Sequence, residues 1–261
     1  DRFRADGQAA ASRGFAACTL ILGVLLGAAA IWGANKQALG LFHDDGIYAV
    51  VAKAIYQGDG FRIISLPTAP PQTKYPFLYS YVLSLLWFLD PAFPDNILLL
   101  KSFNIAVLVA VFFLAVAFYR RVFPAATTAA LVFAALVCTN PIIFTYTDYV
   151  VSDLLYALLA LTGLYCFRAD STTVRVLPAA ALAGIASLTR LAAAPLVFAG
   201  AVHAAIRRGW RGAICFTCAV LVFVTPWFLW LWLNRDQAAG ALLGYYSAYD
   251  FRPADPAEWG G

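Results

Sequence analysis

The chain has 261 residues, of which 62% are hydrophobic and only 12% are charged. Soluble domains usually contain about 45–50% apolar and about 25% charged residues, so this composition excludes a water-soluble enzyme. It also excludes a disordered chain and a disulfide-stapled secreted domain, because apolar residues are too abundant and cysteine is too scarce. The net charge of +4 is small, and the sequence is that of a membrane protein.

Seven stretches of the chain are long and apolar enough for transmembrane helices, which need roughly 20 mainly apolar residues. We predict spans at residues 14–34, 97–119, 125–146, 150–167, 175–190, 191–206 and 212–233. The first is interpreted as a retained anchor, because no cleavage site followed by a polar domain comes after it. The fold class predicted is all-α, a polytopic membrane helix bundle with about seven transmembrane helices.

The distribution of Lys and Arg predicts the orientation, since these residues accumulate in short cytoplasmic loops. With seven spans and a cytoplasmic N-terminus, the inner segments hold ten arginines and three aspartates, whereas the rest of the chain holds eight basic and eleven acidic residues. Counting the apolar run Phe77–Leu89 as an eighth span would remove this asymmetry. That run has only about 13 residues, so we expect an interfacial or re-entrant helix.

This topology predicts the division of the chain into a membrane module and an outer loop. Residues 1–233 form the membrane module, and its first outer loop, at about residues 35–96, carries the proposed active site. Residues 234–261 form a second, C-terminal outer loop. The chain begins with Asp1 and contains no Met, so we expect a processed product or a fragment. Abundant Ala and Arg suggest a bacterial gene, and hence a bacterial inner membrane with the active site facing outside.

The first outer loop contains an adjacent pair of carboxylates, Asp44 and Asp45, at the start of a predicted helix. Apolar residues then recur at helical spacing up to the Gly58-Asp59-Gly60 break, which predicts a helix lying along the membrane surface. Tyr48 lies one turn beyond Asp44. An N-cap accounts for one Asp, and the second carboxylate suits a general base or a metal ligand.

A proline-rich turn at residues 67–76 carries Lys74 and Tyr75 and leads into the short helix Phe77–Leu89. Lys74 is interpreted either as an interfacial cation or as a contact to a phosphate at the depth of a lipid headgroup.

Three further polar residues lie close to predicted span ends at the outer face. Asp148 precedes the fourth span, Asp153 falls inside its start, and Arg190 lies between the fifth and sixth spans. Carboxylates at such depth are costly and usually face a cavity or a partner, although an Arg there can also extend to the interface. The topology places Asp153 and Arg190 at the same outer level as Asp44, Asp45 and Lys74, which predicts a shared polar cavity.

In order and topological placement, these residues resemble the GT-C superfamily of glycosyltransferases that use polyprenyl-phosphate sugars. The similarity is to its protein O-mannosyltransferase-like and aminoarabinose-transferase-like members, which are related to glycosyltransferase family 39, and it covers residues 14–233. The matching segments are Asp44-Asp45 with the helix around Tyr48, Lys74 to Tyr79, Tyr149 to Leu154, and Gly184 to Arg190. Family members continue with more spans, so the resemblance implies an N-terminal membrane module.

The resemblance implies transfer of a sugar from a polyprenyl-phosphate donor to an acceptor hydroxyl, with inversion at the anomeric carbon. It implies that Asp44 is the general base, that Asp45 orients it or binds a metal, and that Asp153 positions the acceptor or a second ligand. Donor and substrate contacts are assigned to Lys74, Tyr48, Tyr75, Arg190 and Asp148. The acceptor is a protein, lipid or polysaccharide, and membrane lipids surround the chain. No nucleic acid is expected as a partner. The resemblance leaves the use of a divalent metal open.

Two other classes of protein remain as alternatives. A secondary transporter also carries intramembrane charges, but its site lies near the bilayer midplane between repeated halves, and no repeat is visible in this sequence. A truncated, non-catalytic membrane protein is the other alternative, because the chain is short for the family that it resembles.

Overall fold

The computed structural model of the chain describes residues 2–41, 44–166 and 173–235. Residues 1, 42–43, 167–172 and 236–261, which include His43 and the predicted outer loop after residue 235, lie outside the described residues. The described helices are α1 (Arg2–Gly33), α2 (Asp44–Gln57), α3 (Leu78–Leu89), α4 (Ile97–Val122), α5 (Thr127–Cys138), α6 (Pro141–Thr145), α7 (Asp153–Cys166), α8 (Thr173–Ser187) and α9 (Ala194–Asn234), with a short 3-10 turn at Leu191–Ala193.

The predicted all-α class is confirmed, because the described residues form no strand beyond one isolated bridge between Arg62 and Pro71. Three helical segments in this part of the chain are long and apolar enough to cross a membrane: Ser12–Gly33, Ile97–Val122 and Leu191–Asn234. Four apolar helices are shorter: Leu78–Leu89, Thr127–Cys138, Asp153–Cys166 and Val176–Ser187.

Helix α9 contains both of the last two predicted spans and folds back on itself at Gly209. This glycine has a φ of +68°, in the left-handed region that favours glycine. A Cβ added at Gly200 would lie 2.3 Å from the Phe216 ring, although residues 16 apart in a straight helix are separated by about 24 Å. The two arms of α9, residues 194–208 and 210–234, therefore pack against each other as a hairpin.

The predicted span 125–146 is not continuous, because the chain breaks between α5 and α6. Pro141 cannot donate a backbone N–H, and it disfavours helical geometry at the residue before it. Asn140 is accordingly the N-cap of α6, with its side chain accepting a hydrogen bond from the Ile142 N–H at 3.1 Å. The next span also begins late, at Asp153 instead of residue 150, so residues 146–152 form a non-helical connection.

Helix α2 is buried on two sides, whereas the sequence predicted one apolar face. On one side Ile47 and Val51 pack in a cluster with Trp227 of α9. On the other side the small residues Ala49 and Ala52 allow α3 to pack closely, in a cluster that also contains Tyr79 and Leu83. Helix α2 is thus wedged between the α3–α4 side of the bundle and α9.

The core of the bundle lies around α4, and its packing fixes the ends of the other helices. Helix α4 packs against α1, α5 and α7 through a cluster that includes Leu108, Phe112, Ala134 and Leu154. The N-terminal end of α3 is tied to the end of α8 by a hydrogen bond from the Leu78 N–H to the Leu188 carbonyl, at 3.1 Å. This tie brings the 74–76 turn next to the residues that follow α8.

Candidate active site

Three segments that are distant in sequence meet around one cavity of about 250 Å³. They are the N-terminal turn of α2, the turn before α3, and the connection between α8 and α9. The lining residues are Asp44, Tyr48, Lys74, Tyr75, Pro76, Thr189, Arg190, Leu191 and Ala192. Five residues that the sequence assigned to the site therefore face one space: Asp44, Tyr48, Lys74, Tyr75 and Arg190.

Asp44 contributes the carboxylate that lines this cavity. It lies in the first turn of α2. The Tyr75 hydroxyl donates a hydrogen bond to Asp44 Oδ1, and the Tyr75 ring packs against the Tyr48 ring with 5.0 Å between centroids. The Tyr75 hydroxyl holds the Asp44 carboxylate in one orientation, and the carboxylate can still accept further hydrogen bonds.

Asp45 is turned away from the cavity and towards the backbone. It is 1% exposed, and its two oxygens accept hydrogen bonds from the Gly40 N–H at 3.0 Å and the Gly46 N–H at 2.8 Å. The carboxylate thus ties the loop before α2 to the start of the helix. The sequence predicted one capping aspartate and one chemical aspartate, and the structure places Asp45 against backbone and Asp44 in the cavity.

The position of Lys74 follows from Gln72, which is buried beneath the turn. The Gln72 side-chain oxygen accepts a hydrogen bond from the Lys74 N–H at 2.8 Å, and the Gln72 carbonyl accepts one from Trp230 of α9, also at 2.8 Å. Lys74 Nζ lies 5.0 Å from the centroid of the Tyr75 ring, which is within cation–π range. A helix late in the chain therefore shapes the turn that presents this cation.

Arg190 reaches the cavity because α8 ends three residues before it. The Thr189 and Arg190 N–H groups bond to the Ala186 carbonyl, and Arg190 itself is extended, with φ −150° and ψ 136°. Its Nη1 forms an ion pair of 2.5 Å with Oδ2 of Asp153, at the start of α7. Asp153 thus contacts the site through Arg190 and is not itself a lining residue.

Tyr48 is a hydrogen-bonding group and not a base. Its side chain is 2% exposed, and its hydroxyl lies 3.0 Å from the Ser152 hydroxyl. Burial raises the pKa of Tyr48 well above its ordinary value, and the hydrogen bond with Ser152 offsets only part of this effect. The phenol therefore stays neutral, and it joins α2 to the segment that precedes α7.

Asp148 does not line this cavity. Its Oδ1 accepts hydrogen bonds from Lys101 Nζ at 2.8 Å and from the Asn35 N–H at 2.7 Å, and Lys101 also donates to the Asn35 carbonyl at 2.7 Å. This group joins the chain after α1 to α4 and to the 146–152 connection. Its assignment to substrate binding stays a prediction, without support from the position of its side chain.

Sequence reasoning overlooked Lys101, Asn104, Ser152 and Thr189, all of which are buried. Lys101 and Asn104 lie three residues apart within a predicted span, so they share one helix face. Polar side chains inside an apolar span usually have a partner, and this signal was available in the sequence. Ser152 and Thr189 lie within segments that carry the family resemblance, but the sequence analysis assigned them no role.

The described residues do not form a metal centre. Among them, no group of three or more His, Cys, Asp or Glu side chains lies close enough to hold a metal ion. Asp44 is the one carboxylate among the residues that line the cavity. This donor set does not fit a divalent metal, which prefers several oxygen ligands.

An apolar groove of about 390 Å³ adjoins the cavity at Leu191, which lines both spaces. Its walls come mainly from the two arms of α9, including Val197, Phe198, Val224 and Trp227. The charged cavity and the apolar groove thus share Leu191 as a lining residue.

Comparison with known proteins supports the fold. No protein-family model and no curated protein matches the chain. A solved structure that is similar is the crystal structure of ArnT from Cupriavidus metallidurans bound to undecaprenyl phosphate, with a TM-score of 0.63 and 16% sequence identity. The match covers 88% of this chain and 44% of that one, so this chain spans less than half the length of ArnT. The chain shares the helical membrane fold of that part of ArnT.

Proposed function

We propose that the chain is the membrane module of a GT-C-type glycosyltransferase, which transfers a sugar from a polyprenyl-phosphate donor to an acceptor hydroxyl. The observation that carries the proposal is the cavity in which two cations, Lys74 and Arg190, lie with the carboxylate of Asp44. The same fold in ArnT was crystallised with undecaprenyl phosphate, a lipid of the kind that such a donor releases.

The donor phosphate would bind between Arg190 and Lys74. Arg190 is held by Asp153, so its planar guanidinium is oriented before a ligand arrives, and a guanidinium can contact a phosphate through two N–H groups. Lys74 adds a second positive charge from the opposite segment. The apolar groove that begins at Leu191 would receive the polyprenyl chain.

Asp44 would act as the general base. The acceptor oxygen attacks the anomeric carbon and its proton passes to the Asp44 carboxylate, while the bond between that carbon and the phosphate oxygen breaks. Polyprenyl phosphate leaves with the bonding electrons, and its charge is stabilised by Arg190 and Lys74. One displacement inverts the anomeric carbon, and no step requires a metal ion.

The remaining site residues support this arrangement in our proposal. Tyr75 orients Asp44, Tyr48 links α2 to the segment before α7, and Asp45 fixes the loop that leads into α2. Asp153 orients Arg190, where the sequence suggested that it positions the acceptor. We further propose that the cavity faces the outside of a bacterial inner membrane, as the distribution of arginines predicts.

Replacing Asp44 with Asn tests the proposed base. The variant keeps the size of the side chain and an acceptor for Tyr75, so we expect undecaprenyl phosphate to bind to Asp44→Asn with native affinity. Sugar transfer by the full-length enzyme in membranes should fall by at least about a hundredfold, the size typical of lost general-base catalysis. Asp59→Asn is the matched control, because Asp59 is an exposed carboxylate of the same outer loop.

Undiminished transfer by Asp44→Asn would refute the assignment of the base. A native chain that does not bind undecaprenyl phosphate would refute the proposed donor class. Arg190→Gln should weaken that binding by about tenfold or more, because it removes a charge-assisted contact to the phosphate. Lys36→Gln, at an exposed lysine outside the cavity, should leave it unchanged.

A further inference from the structure

Asn104 holds the connection between α6 and α7 from within the core. It lies in α4 and is 0% exposed. Its Nδ2 donates to three backbone carbonyls, those of Tyr146 at 3.2 Å, Tyr149 at 2.8 Å and Val151 at 2.9 Å. Its Oδ1 accepts a hydrogen bond from the Tyr79 hydroxyl of α3, at 2.9 Å.

This connection needs such a partner because it is non-helical and runs through buried surroundings. Val150 and Ser152 are both 0% exposed, so water does not reach this stretch freely. Buried carbonyls without a hydrogen bond are costly, and a helix would have satisfied them internally. One amide group has only two hydrogens, so three carbonyls that share it must converge on one point. The side chain thereby fixes the path of the backbone.

The path of this backbone decides where the next two side chains lie. Ser152 follows directly and bonds to Tyr48 at 3.0 Å, and Asp153 follows it and pairs with Arg190 at 2.5 Å. Both partners line the cavity. A displaced 146–151 backbone would therefore move Asp153 and release Arg190 from the orientation that it now has.

We propose that Asn104 is a positioning residue of the active site, acting on the donor phosphate through the 146–151 backbone, Asp153 and Arg190. The inference rests on the proposed function, because it takes a phosphate held by Arg190 as the group that is positioned. A purely structural role would weaken folding and ligand binding whether or not Arg190 is present. A positioning role acts only through Arg190, and this difference can be measured.

The experiment measures binding of undecaprenyl phosphate to the purified full chain in detergent micelles. Asn104→Asp keeps the size of the side chain and an acceptor for Tyr79 but loses the amide that the three carbonyls share. It is made in the native chain and in the Arg190→Gln chain. The matched control is Asn96→Asp: Asn96 is also buried and donates to a backbone carbonyl, that of Asp90 at 2.9 Å, but it holds the loop before α4.

We expect Asn104→Asp to weaken binding by about tenfold in the native chain and by less than about twofold in the Arg190→Gln chain. Asn96→Asp should change binding by less than about twofold in either. If Asn104→Asp does not fold, Asn104→Ser replaces it, because a single hydroxyl cannot bridge three carbonyls. We expect Asn104→Ser to weaken the binding of undecaprenyl phosphate by about threefold, again only when Arg190 is present.

Equal losses with and without Arg190 would overturn the inference, since Asn104 would then act on the fold as a whole. Native affinity in Asn104→Asp, or in Asn104→Ser where that variant is used, would overturn it as well. Failure of the native chain itself to bind undecaprenyl phosphate would overturn the proposed function, and the inference with it. Failure of the native chain to bind can be told apart from the two outcomes at Asn104, because both of these require that the native chain binds undecaprenyl phosphate.

Discussion

The buried ion pair between Lys101 and Asp148 provides a test of the fold that does not depend on the proposed function. Its two partners differ in exposure: the Lys101 side chain is 0% exposed and that of Asp148 is 31% exposed. Removing one member of a buried pair leaves the other charge without compensation, which typically costs about 3–5 kcal/mol. The difference in exposure predicts which of the two substitutions costs more.

Lys101→Met removes two charge-assisted hydrogen bonds, but the Asp148 carboxylate keeps the Asn35 N–H and is partly open to water. We therefore expect a loss at the lower end of that range, about 3 kcal/mol. Asp148→Asn leaves an ammonium group that is fully enclosed, and we expect a loss of about 4 kcal/mol or more. The double variant contains neither charge and should cost less than either single substitution.

Reversible unfolding of each variant in mixed detergent micelles, followed by helical circular dichroism, gives the three free-energy differences. Lys36→Met, at an exposed lysine, is the control and should change the free energy of unfolding by less than about 0.5 kcal/mol. The reasoning would be refuted if the double variant lost the sum of the two single losses, because the charges would then not interact. A larger loss for Lys101→Met than for Asp148→Asn would refute the argument from exposure.

Two further predictions follow from the hairpin of α9 and from the burial of Tyr48. Gly200→Ala should lower the free energy of unfolding by about 1–3 kcal/mol, because the added Cβ would lie 2.3 Å from the buried Phe216 ring. The control is Gly14→Ala, whose Cβ would meet nothing within 4 Å. Equal changes in the free energy of unfolding for the two variants would contradict the hairpin. Burial raises the pKa of Tyr48 above its ordinary value of 10.0. Above about pH 10 the Tyr48 phenol therefore ionises in the unfolded chain but not in the folded one, and the folded state loses stability as the pH rises. Tyr48→Phe loses the hydrogen bond with Ser152, so it should be less stable than the native chain by about 1 kcal/mol near neutral pH. Because phenylalanine does not ionise, this difference in stability should narrow at pH values above about 10 in thermal unfolding; a constant difference would contradict the raised pKa of Tyr48.

The apolar segments and most of their ends follow from local chemistry. Composition and hydropathy alone identify a membrane protein, and the periodicity after Asp44 with the glycines at 58 and 60 delimits α2. Pro141 and Asn140 also carried a readable signal for the break between α5 and α6, although the sequence was interpreted there as one continuous span. These features depend on residues near each other in the chain, so the sequence is sufficient to predict them.

The charged groups of the site illustrate what a sequence leaves open. Topology placed Asp44, Asp45, Lys74, Asp153 and Arg190 at one level, but a shared level does not tell which side chains meet. Two neighbouring aspartates point in different directions: Asp44 lines the cavity, and Asp45 binds backbone N–H groups. Asp148 and Asp153 lie five residues apart and pair with different cations, Lys101 and Arg190.

By itself, the sequence determined that the chain is a membrane protein, where its apolar segments lie and which residues carry charge in apolar surroundings. Hydropathy, helix capping and backbone restriction by Pro and Gly are local properties, and they act before the helices pack. Only the tertiary structure decided that α9 folds back onto itself, that Gln72 and Trp230 shape the Lys74 turn, and that Asn104 holds the segment leading to Asp153. These contacts join residues from 16 to 158 positions apart, and the direction of each side chain depends on how the helices pack.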